Sequence, residues 1–422
     1  MNQKDSKTLF LFTKTYPFGN GEQYITTELP YLAAKFAKII IYPNDYYGDE
    51  ITHSKKLPDN AVVLNFNLQL PKQSNNKLSD YLYLLKTTFQ ELILTDDKKY
   101  FFKNFKWNLI NFWTQFQISK SFSNYLNENN FNEANTVFYS YWFHKSAILL
   151  SILKDKKQIS KFVSRAHSID LYHNKWGIIN DEAKVPPYKL FKLKHISQLL
   201  TISGHGAEFI KNNFPKYEYK VKTFFLGINN INQQPLQKEV FPFFLIVTCS
   251  HLDNCKRLDS LAEAIAKLQL AIKWVHFGGG DKNEETKILK HLSAKPNNIK
   301  VELKGYISND NVHLFYRNNN VNLFVNLSKV EGIPVSIMEA MAYEIPILAT
   351  QIYGVPEAVI ENKNGFLLNE NFTIDELVQK LNYCLTNEEQ LKKMGKKSRE
   401  IYLEKFSAEK NYTQFAEYLL NL

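Results

Sequence analysis

Short runs of β-branched and aromatic residues alternate along this chain with segments of helical length, and the alternation runs twice. In the first half the strand-like runs fall at 8–13, 37–42, 61–66, 136–141, 161–165, 197–202 and 222–226; in the second, at 243–249, 272–277, 299–303, 321–325, 346–349 and 365–368. Strands alternating with helices build βαβ units and parallel sheets covered on both faces. Several runs are apolar almost throughout, as strands buried on both faces should be. The polar stretch "GINNINQQPLQKEVFPF", residues 227–243, separates the two halves. The expected fold is therefore α/β, with two Rossmann-like doubly wound domains facing across a cleft lined by the carboxyl ends of both sheets, where such folds bind ligands. The divisions expected are 1–228, 240–400 and a C-terminal helix, 401–422, that packs back on the first domain.

Composition narrows the function. Of 422 residues 44% are hydrophobic and 22% charged, which fits a well-cored globular chain rather than a disordered one. No run approaches the ~20 apolar residues of a membrane-spanning helix. The N-terminal apolar run is about five residues, too short for a secretory signal. Three cysteines, Cys249, Cys255 and Cys384, are no disulfide framework and fit a reducing, cytoplasmic setting. No Cys/His spacing resembles a zinc site. The net charge of +10 points to anionic partners: phosphorylated small molecules, an anionic membrane surface, or nucleic acid. Nucleic acid ranks last, because the lysines are spread out and no recognition motif accompanies them.

The stretch with most chemistry in it is "VEGIPVSIMEAMAYEIPILATQIYGVPE", residues 330–357. A buried strand precedes it. Gly332 permits a tight loop, and Pro334 suits the first helical position. The helix is expected over 334–343, with the amides of Val335 and Ser336 free at its N-terminus. Together with the helix dipole these form an anion site suited to a diphosphate. Glu339 lies about 7 Å further along the axis, at ~1.5 Å per residue, and Glu331 lies in the loop before it. The pair can flank a diphosphate and accept from hydroxyls on either side. An exposed acidic pair on an ordinary surface helix is the other reading of that spacing.

These residues resemble the signature of the retaining GT-B glycosyltransferases grouped as family 4 (glycosyl transferases group 1), of the bacterial surface-polysaccharide type, whose E-x7-E motif falls on Glu331 and Glu339. The resemblance continues in "YPFGNGEQYITTELPYL", "RAHSIDLY", "TISGHGAEFIKNNFP", "VTCSHLDNCKRLDSLAEAIAKL", "HFGGGD" and "GYISNDNVHLFY", in that order along the chain. Residues 66–135 carry little of it. The resemblance implies that Glu339 holds the ribose of a nucleotide, that Glu331 contacts the transferred sugar, and that Lys256 neutralises the donor diphosphate. Where many members carry an arginine nearer the strand, this chain has His251, with Arg257 as the candidate to compensate.

In the first half, Gly19 and Gly21 would let backbone approach a phosphate or an acceptor, or simply form a turn. Glu22 complements the dipole of the helix it begins. His167 is a candidate catalytic group, with Asp170 orienting it, and Arg165 would help hold anionic charge. Ser203 closes a strand and lines the cleft. Trp142 and His144 are assigned to an acceptor-side wall. The implied reaction transfers a sugar from a UDP- or GDP-linked donor to a hydroxyl of a glycan or lipid-linked acceptor, with retention, no cofactor and no metal. A sugar-nucleotide epimerase of the same fold and a non-catalytic scaffold are the alternatives. The absence of G-x-G-x-x-G before an acidic residue argues against a dehydrogenase. Residues 78–131, rich in aromatics and lysines, read as long amphipathic helices that either pack on the sheet or meet a membrane surface.

Overall fold

The computed structural model describes residues 5–19, 22–45, 55–64, 76–95, 98–172, 188–229, 242–293 and 295–422. The chain divides into two compact units. One comprises Met1–Phe224 with Glu409–Leu422, and the other Phe225–Ala408. Most of the polar linker, residues 230–241, and residues 65 and 66 of the expected third strand lie outside the described residues.

The first unit is built on strands β1 (Asp5–Thr13), β2 (Phe36–Pro43), β3 (Ala61–Val63), β4 (Thr136–Ser140), β5 (Val163–Ala166), β6 (Gln198–Thr201) and β7 (Val221–Thr223). They lie in the order β3-β2-β1-β4-β5-β6-β7, and every pairing is parallel. The second unit has β8 (Phe244–Cys249), β9 (Ile272–Phe277), β10 (Ile299–Leu303), β11 (Leu323–Asn326), β12 (Ile347–Thr350) and β13 (Gly365–Leu368). Their order, β10-β9-β8-β11-β12-β13, is again wholly parallel. Both sheets therefore reverse their winding once, between β1 and β4 and between β8 and β11. Loops leaving the carboxyl ends of strands at such a reversal diverge to opposite faces and open a crevice.

Strand identity follows from the apolar runs. β11 and β12 are buried at every position, and β8 at all but Cys249. Helices cover both faces. In the second unit Leu261, Ile265, Trp274, Leu323, Leu348 and Leu381 share one apolar cluster. In the first, Leu9, Leu11, Ile39, Ile41 and Leu200 cluster with Phe415, Ala416 and Leu419 of the last helix, Ala408–Leu420. The helical C-terminal region is interrupted. The helix Glu388–Lys405 ends at Phe406, and the chain from Glu409 onward belongs to the first unit. Strands β9, β10 and β13 keep their expected bounds and most others shift by one or two residues, but β1 begins at Asp5 rather than at residue 8, β3 stops at Val63, and β7 stops at Thr223 rather than at residue 226.

Among the described residues of the first unit, one ion pair is fully buried. Arg165, on β5, meets Glu28, on the helix Gln23–Lys35, at 3.0 Å, and both side chains are sealed from solvent. The guanidinium lies over the rings of Phe415 and Tyr141 at 4.3 and 5.5 Å. Tyr139 donates to the other oxygen of Glu28. Burial raises the Glu28 carboxyl and Arg165 opposes it. Arg165 was expected to hold anionic charge from a ligand; it is instead a core cation whose counter-ion is internal. Removing one member of such a pair strands the other charge in an apolar interior. Glu28→Gln is therefore expected to cost about 3–5 kcal/mol of stability, read as a lower urea midpoint; an unchanged midpoint would show that the pair carries no stability.

Candidate functional site

In the second unit the crevice between β8 and β11 is formed by the loop 250–257 and the loop 327–334. Backbone contacts fix the first of these. Gly278, at φ 129°, lies so close to Ser250 that a Cβ there would stand 1.8 Å from the Ser250 carbonyl oxygen. The Leu252 amide donates to the Gly279 carbonyl, and a Cβ on Gly280 would meet the Leu252 oxygen at 2.3 Å. Gly278 and Gly280 of "HFGGGD" are thus glycine because one loop lies backbone-to-backbone on another. A second close approach, Gly354 against the Gly332 carbonyl, sets the loop after β12 beside the one after β11.

Lys256 and Glu331 meet across this crevice. Lys256 Nζ lies 2.5 Å from Glu331 Oε1, and Ser328 donates to the same oxygen at 2.8 Å. Both side chains are 14% exposed, enough for a ligand to reach them. Burial works against the charge on Lys256, but Glu331 more than offsets this and holds its pKa above the ordinary lysine value. The Lys329 amide donates to the Cys255 carbonyl and joins the two loops through the backbone as well.

The helix at the crevice runs Val335–Ala342. Pro334 is its N-cap and not its first residue, because its ψ of 126° is extended; its carbonyl accepts from the Ile337 and Met338 amides. No side chain caps this end and its first turn holds no acid. The Val335 and Ser336 amides therefore face outward from the positive end of the helix. Gly332 is buried in the loop before it.

Glu339 is buried, at 4% exposure. The Asn309 side chain donates to its Oε1 at 2.9 Å, and His313 Nε2 lies 3.7 Å from the same atom. Burial pushes the carboxyl up to about 7, with the Asn309 hydrogen bond pulling the other way. Burial, with Glu339 nearby, also pushes the Cys249 thiol up to about 12, leaving that group inert. Asn309 and His313 were missed in the sequence. They lie on the helix Asn309–Asn318, opened by the N-cap Ser308, and nothing in "SNDNVHLFY" announces a carboxylate partner thirty residues on.

Arg257 does not fill the role considered for it. Its Nε donates to Leu327 O at 2.6 Å, Nη1 to Glu370 O at 2.6 Å, and Nη2 to Ser328 O and Thr350 Oγ1 at 3.1 Å each. The guanidinium also lies over Phe372. Its donors are directed at protein, where they tie the loops after β11 and β13 to the end of β12. His251 is exposed in the loop after β8.

The first unit has its own cluster at the reversal between β1 and β4. Glu22 does not cap a helix with its side chain. It accepts from the amides of Lys14, Thr15 and Tyr16 at 2.7–2.9 Å and from the Trp142 indole at 2.6 Å. The Trp142 ring packs against that of His167, centroids 4.2 Å apart and tilted by 38°. The His167 ring is bonded to the Tyr141 carbonyl at 3.1 Å, and burial, with Arg165 adding to it, holds the imidazole down at about 3, hence neutral. Asp170 does not orient that ring. Its Oδ2 accepts from the His167 and Phe143 amides, so it positions backbone. His144, half-buried, precedes the helix Lys145–Asp155. Gly19 is exposed at φ 68°, with open space where a Cβ would stand; Gly21 lies outside the described residues. Ser203 caps the helix Gly204–Asn213 by accepting from Gly206. Among the described residues no cluster of three or more His, Cys, Asp or Glu side chains could hold a metal ion.

Comparison with known proteins agrees with this geometry. Residues 230–401 match the family model described as glycosyl transferases group 1. Over 164 residues the chain is 34% identical to the poly(ribitol-phosphate) alpha-N-acetylglucosaminyltransferase of Staphylococcus aureus, covering 38% of this chain but only 32% of that protein. Two solved structures share the fold over nearly the full length. One is Anabaena Alr3699/HepE in complex with UDP, with a TM-score of 0.63 at 15% identity, covering 99% of this chain and 100% of that one. The other is a mutant of S. aureus TarM in complex with Fondaparinux, alpha-GlcNAc-glycerol and UDP, with a TM-score of 0.67 at 15% identity and the same coverage. The chain thus has the two-domain Rossmann-like fold of the GT-B type, and its residues 230–401 match the model of the glycosyl transferases group 1 family.

Proposed function

We propose that this protein is a retaining glycosyltransferase. It moves a sugar from a UDP- or GDP-linked donor to a hydroxyl of a glycan or lipid-linked acceptor in surface-polysaccharide assembly. The observation that carries the reading is the Lys256–Glu331 pair beside the uncapped N-terminus of the helix Val335–Ala342, inside the matched segment. The UDP bound in the two structural relatives supports a nucleotide-linked donor; the retained configuration rests on the resemblance carried by Glu331 and Glu339.

The roles follow from charge. The donor diphosphate sits at the Val335 and Ser336 amides, where the helix dipole favours an anion. The Lys256 ammonium has three protons and gives one to Glu331, so it can direct others to the diphosphate without leaving its partner. Glu331 keeps a second oxygen for hydroxyls of the transferred sugar. Glu339 accepts from the ribose hydroxyls. In the reaction the bond from the anomeric carbon to the diphosphate oxygen breaks, and the acceptor oxygen bonds to the same face of that carbon. The acceptor proton passes to the departing phosphate oxygen. The charge that grows on the leaving group is stabilised by Lys256 and the two amides, donors already aimed at it. His167, neutral and packed against Trp142, is proposed to line the sugar-binding side of the first unit, with Trp142, His144 and Gly19 toward the acceptor.

Lys256→Ala should lower kcat on the order of 10²-fold, the usual cost of losing one such donor, in an assay of nucleotide release. Thermal-shift screening against a panel of nucleotide sugars identifies the donor, since a ligand of the folded state raises its melting point; a panel with no hit and no turnover would overturn the reading. Calorimetric titration of UDP and GDP should give binding at least ~10-fold weaker (~1.4 kcal/mol) for Glu339→Ala, and equal affinities would exclude the ribose assignment. The pH dependence has a definite sign. Hydroxyls donate to the ionised carboxylate, and burial holds Glu339 protonated up to about 7, so nucleotide affinity should climb as pH rises from 6 to 8. Glu339→Gln removes that increment, and the difference between the two proteins cancels the titration of the phosphate itself.

A further inference from the structure

The helix Leu78–Leu94 turns an apolar stripe outward, although Tyr83 and Leu84 pack inward against the cluster around Phe112 and Phe116. A surface helix ordinarily turns apolar residues inward and charges outward. Here Leu78, Tyr81, Leu82, Leu85, Phe89 and Ile93 are all exposed, Leu78 at 75% and Phe89 at 62%. At about 100° per residue they form one stripe roughly 120° wide. The polar residues Asp80, Thr87, Thr88 and Glu91 are buried on the other side. The orientation is pinned by hydrogen bonds: Lys120 donates to Asp80 at 2.7 Å, Thr88 meets the Tyr188 hydroxyl at 2.8 Å, and Glu91 accepts from the Leu190 and Phe191 amides at 2.9 Å each. Turning the helix over would break all of these at once.

The neighbouring chain extends the patch. The helices Lys98–Lys103 and Phe105–Glu128 pack against Leu78–Leu94, and they add Phe102, Phe105 and Ile110 to the exposed apolar surface. Exposed lysines accompany it: Lys77, Lys86, Lys98, Lys103 and Lys106. Among the described residues from 76 to 110 no carboxylate is exposed, because Asp80 and Glu91 are the two turned inward; Asp96 and Asp97 lie outside the described residues. Apolar side chains ringed by cations, with the acids withdrawn, match the boundary of an anionic bilayer, where rings and aliphatic chains enter the headgroup layer and lysines meet lipid phosphates. A second copy fits poorly, because a two-fold interface would set lysines against lysines. Among the described residues no helix is long and apolar enough to cross a membrane, so the fit is to a surface.

We propose that this face of the first unit docks the protein on an anionic phospholipid bilayer, with Leu82, Leu85 and Phe89 inserted. The inference does not rest on the donor chemistry of the second unit.

The test is cosedimentation of the full chain with vesicles of phosphatidylcholine alone and of phosphatidylcholine with 30–40% phosphatidylglycerol (about the charge density at which polybasic surfaces bind). The wild type should pellet with the charged vesicles, at least ~10-fold more strongly than with neutral ones, and release on raising the salt. Leu85→Glu with Phe89→Glu, and separately Lys86→Glu with Lys106→Glu, should each lower the bound fraction at least ~10-fold. All these positions are exposed, so an unchanged melting temperature and unchanged UDP titration verify the fold. A wild type that stays in the supernatant overturns the proposal, as do variants that pellet like the wild type. A soluble dimer that Phe89→Glu dissociates would assign the face to a second copy instead.

Discussion

Arg257 holds the second unit's crevice in shape. It sits at φ 50° in the left-handed region, a conformation that costs a non-glycine residue and persists only where the surroundings over-determine it. The surroundings here are three backbone carbonyls, from the loops after β11 and β13, and the hydroxyl of Thr350 at the end of β12. A planar guanidinium with five donors can satisfy acceptors spread that widely, whereas an ammonium presents all its protons at one point. With Arg257 spent on the scaffold, its neighbour Lys256 is left to face the crevice and meet Glu331.

A comparable division of labour recurs in the first unit, between a buried cation and a neutral ring. Arg165 and His167 are two residues apart, and both were candidates for ligand chemistry. Alternation along β5 sends Arg165 into the core against Glu28, while the chain beyond the strand brings His167 against Trp142. The burial that keeps Arg165 internal also contributes to keeping His167 neutral. Glu22 likewise trades a dipole-complementing place for three loop amides and an indole, which makes it the organiser of the loop after β1.

The fold was legible because its signal is local and repeated. Apolar runs of strand length recur between helix-length segments, and their order forces parallel sheets wound from right-handed crossovers. The glycines of "HFGGGD" and "GVPE" could be seen in the sequence as special, but their partners, Ser250, Leu252 and Gly332, could not. The E-x7-E pair was legible as a spacing. That Glu331 is neutralised by Lys256 and that Glu339 is buried beside Asn309 depends on residues dozens of positions away.

The sequence by itself therefore determined the two α/β halves, the helix after β11 and the residue types able to grip an anion and hydroxyls, since each rests on periodicity or on covalent neighbours. Tertiary structure alone decided which of two adjacent basic residues faces outward, which carboxylate stays protonated near neutrality, and which side of Leu78–Leu94 meets solvent. Periodicity reveals that a helix has two faces; which one turns inward is settled by partners such as Lys120, Tyr188 and the amides of Leu190 and Phe191, because a buried carboxylate must find donors there or stay outside.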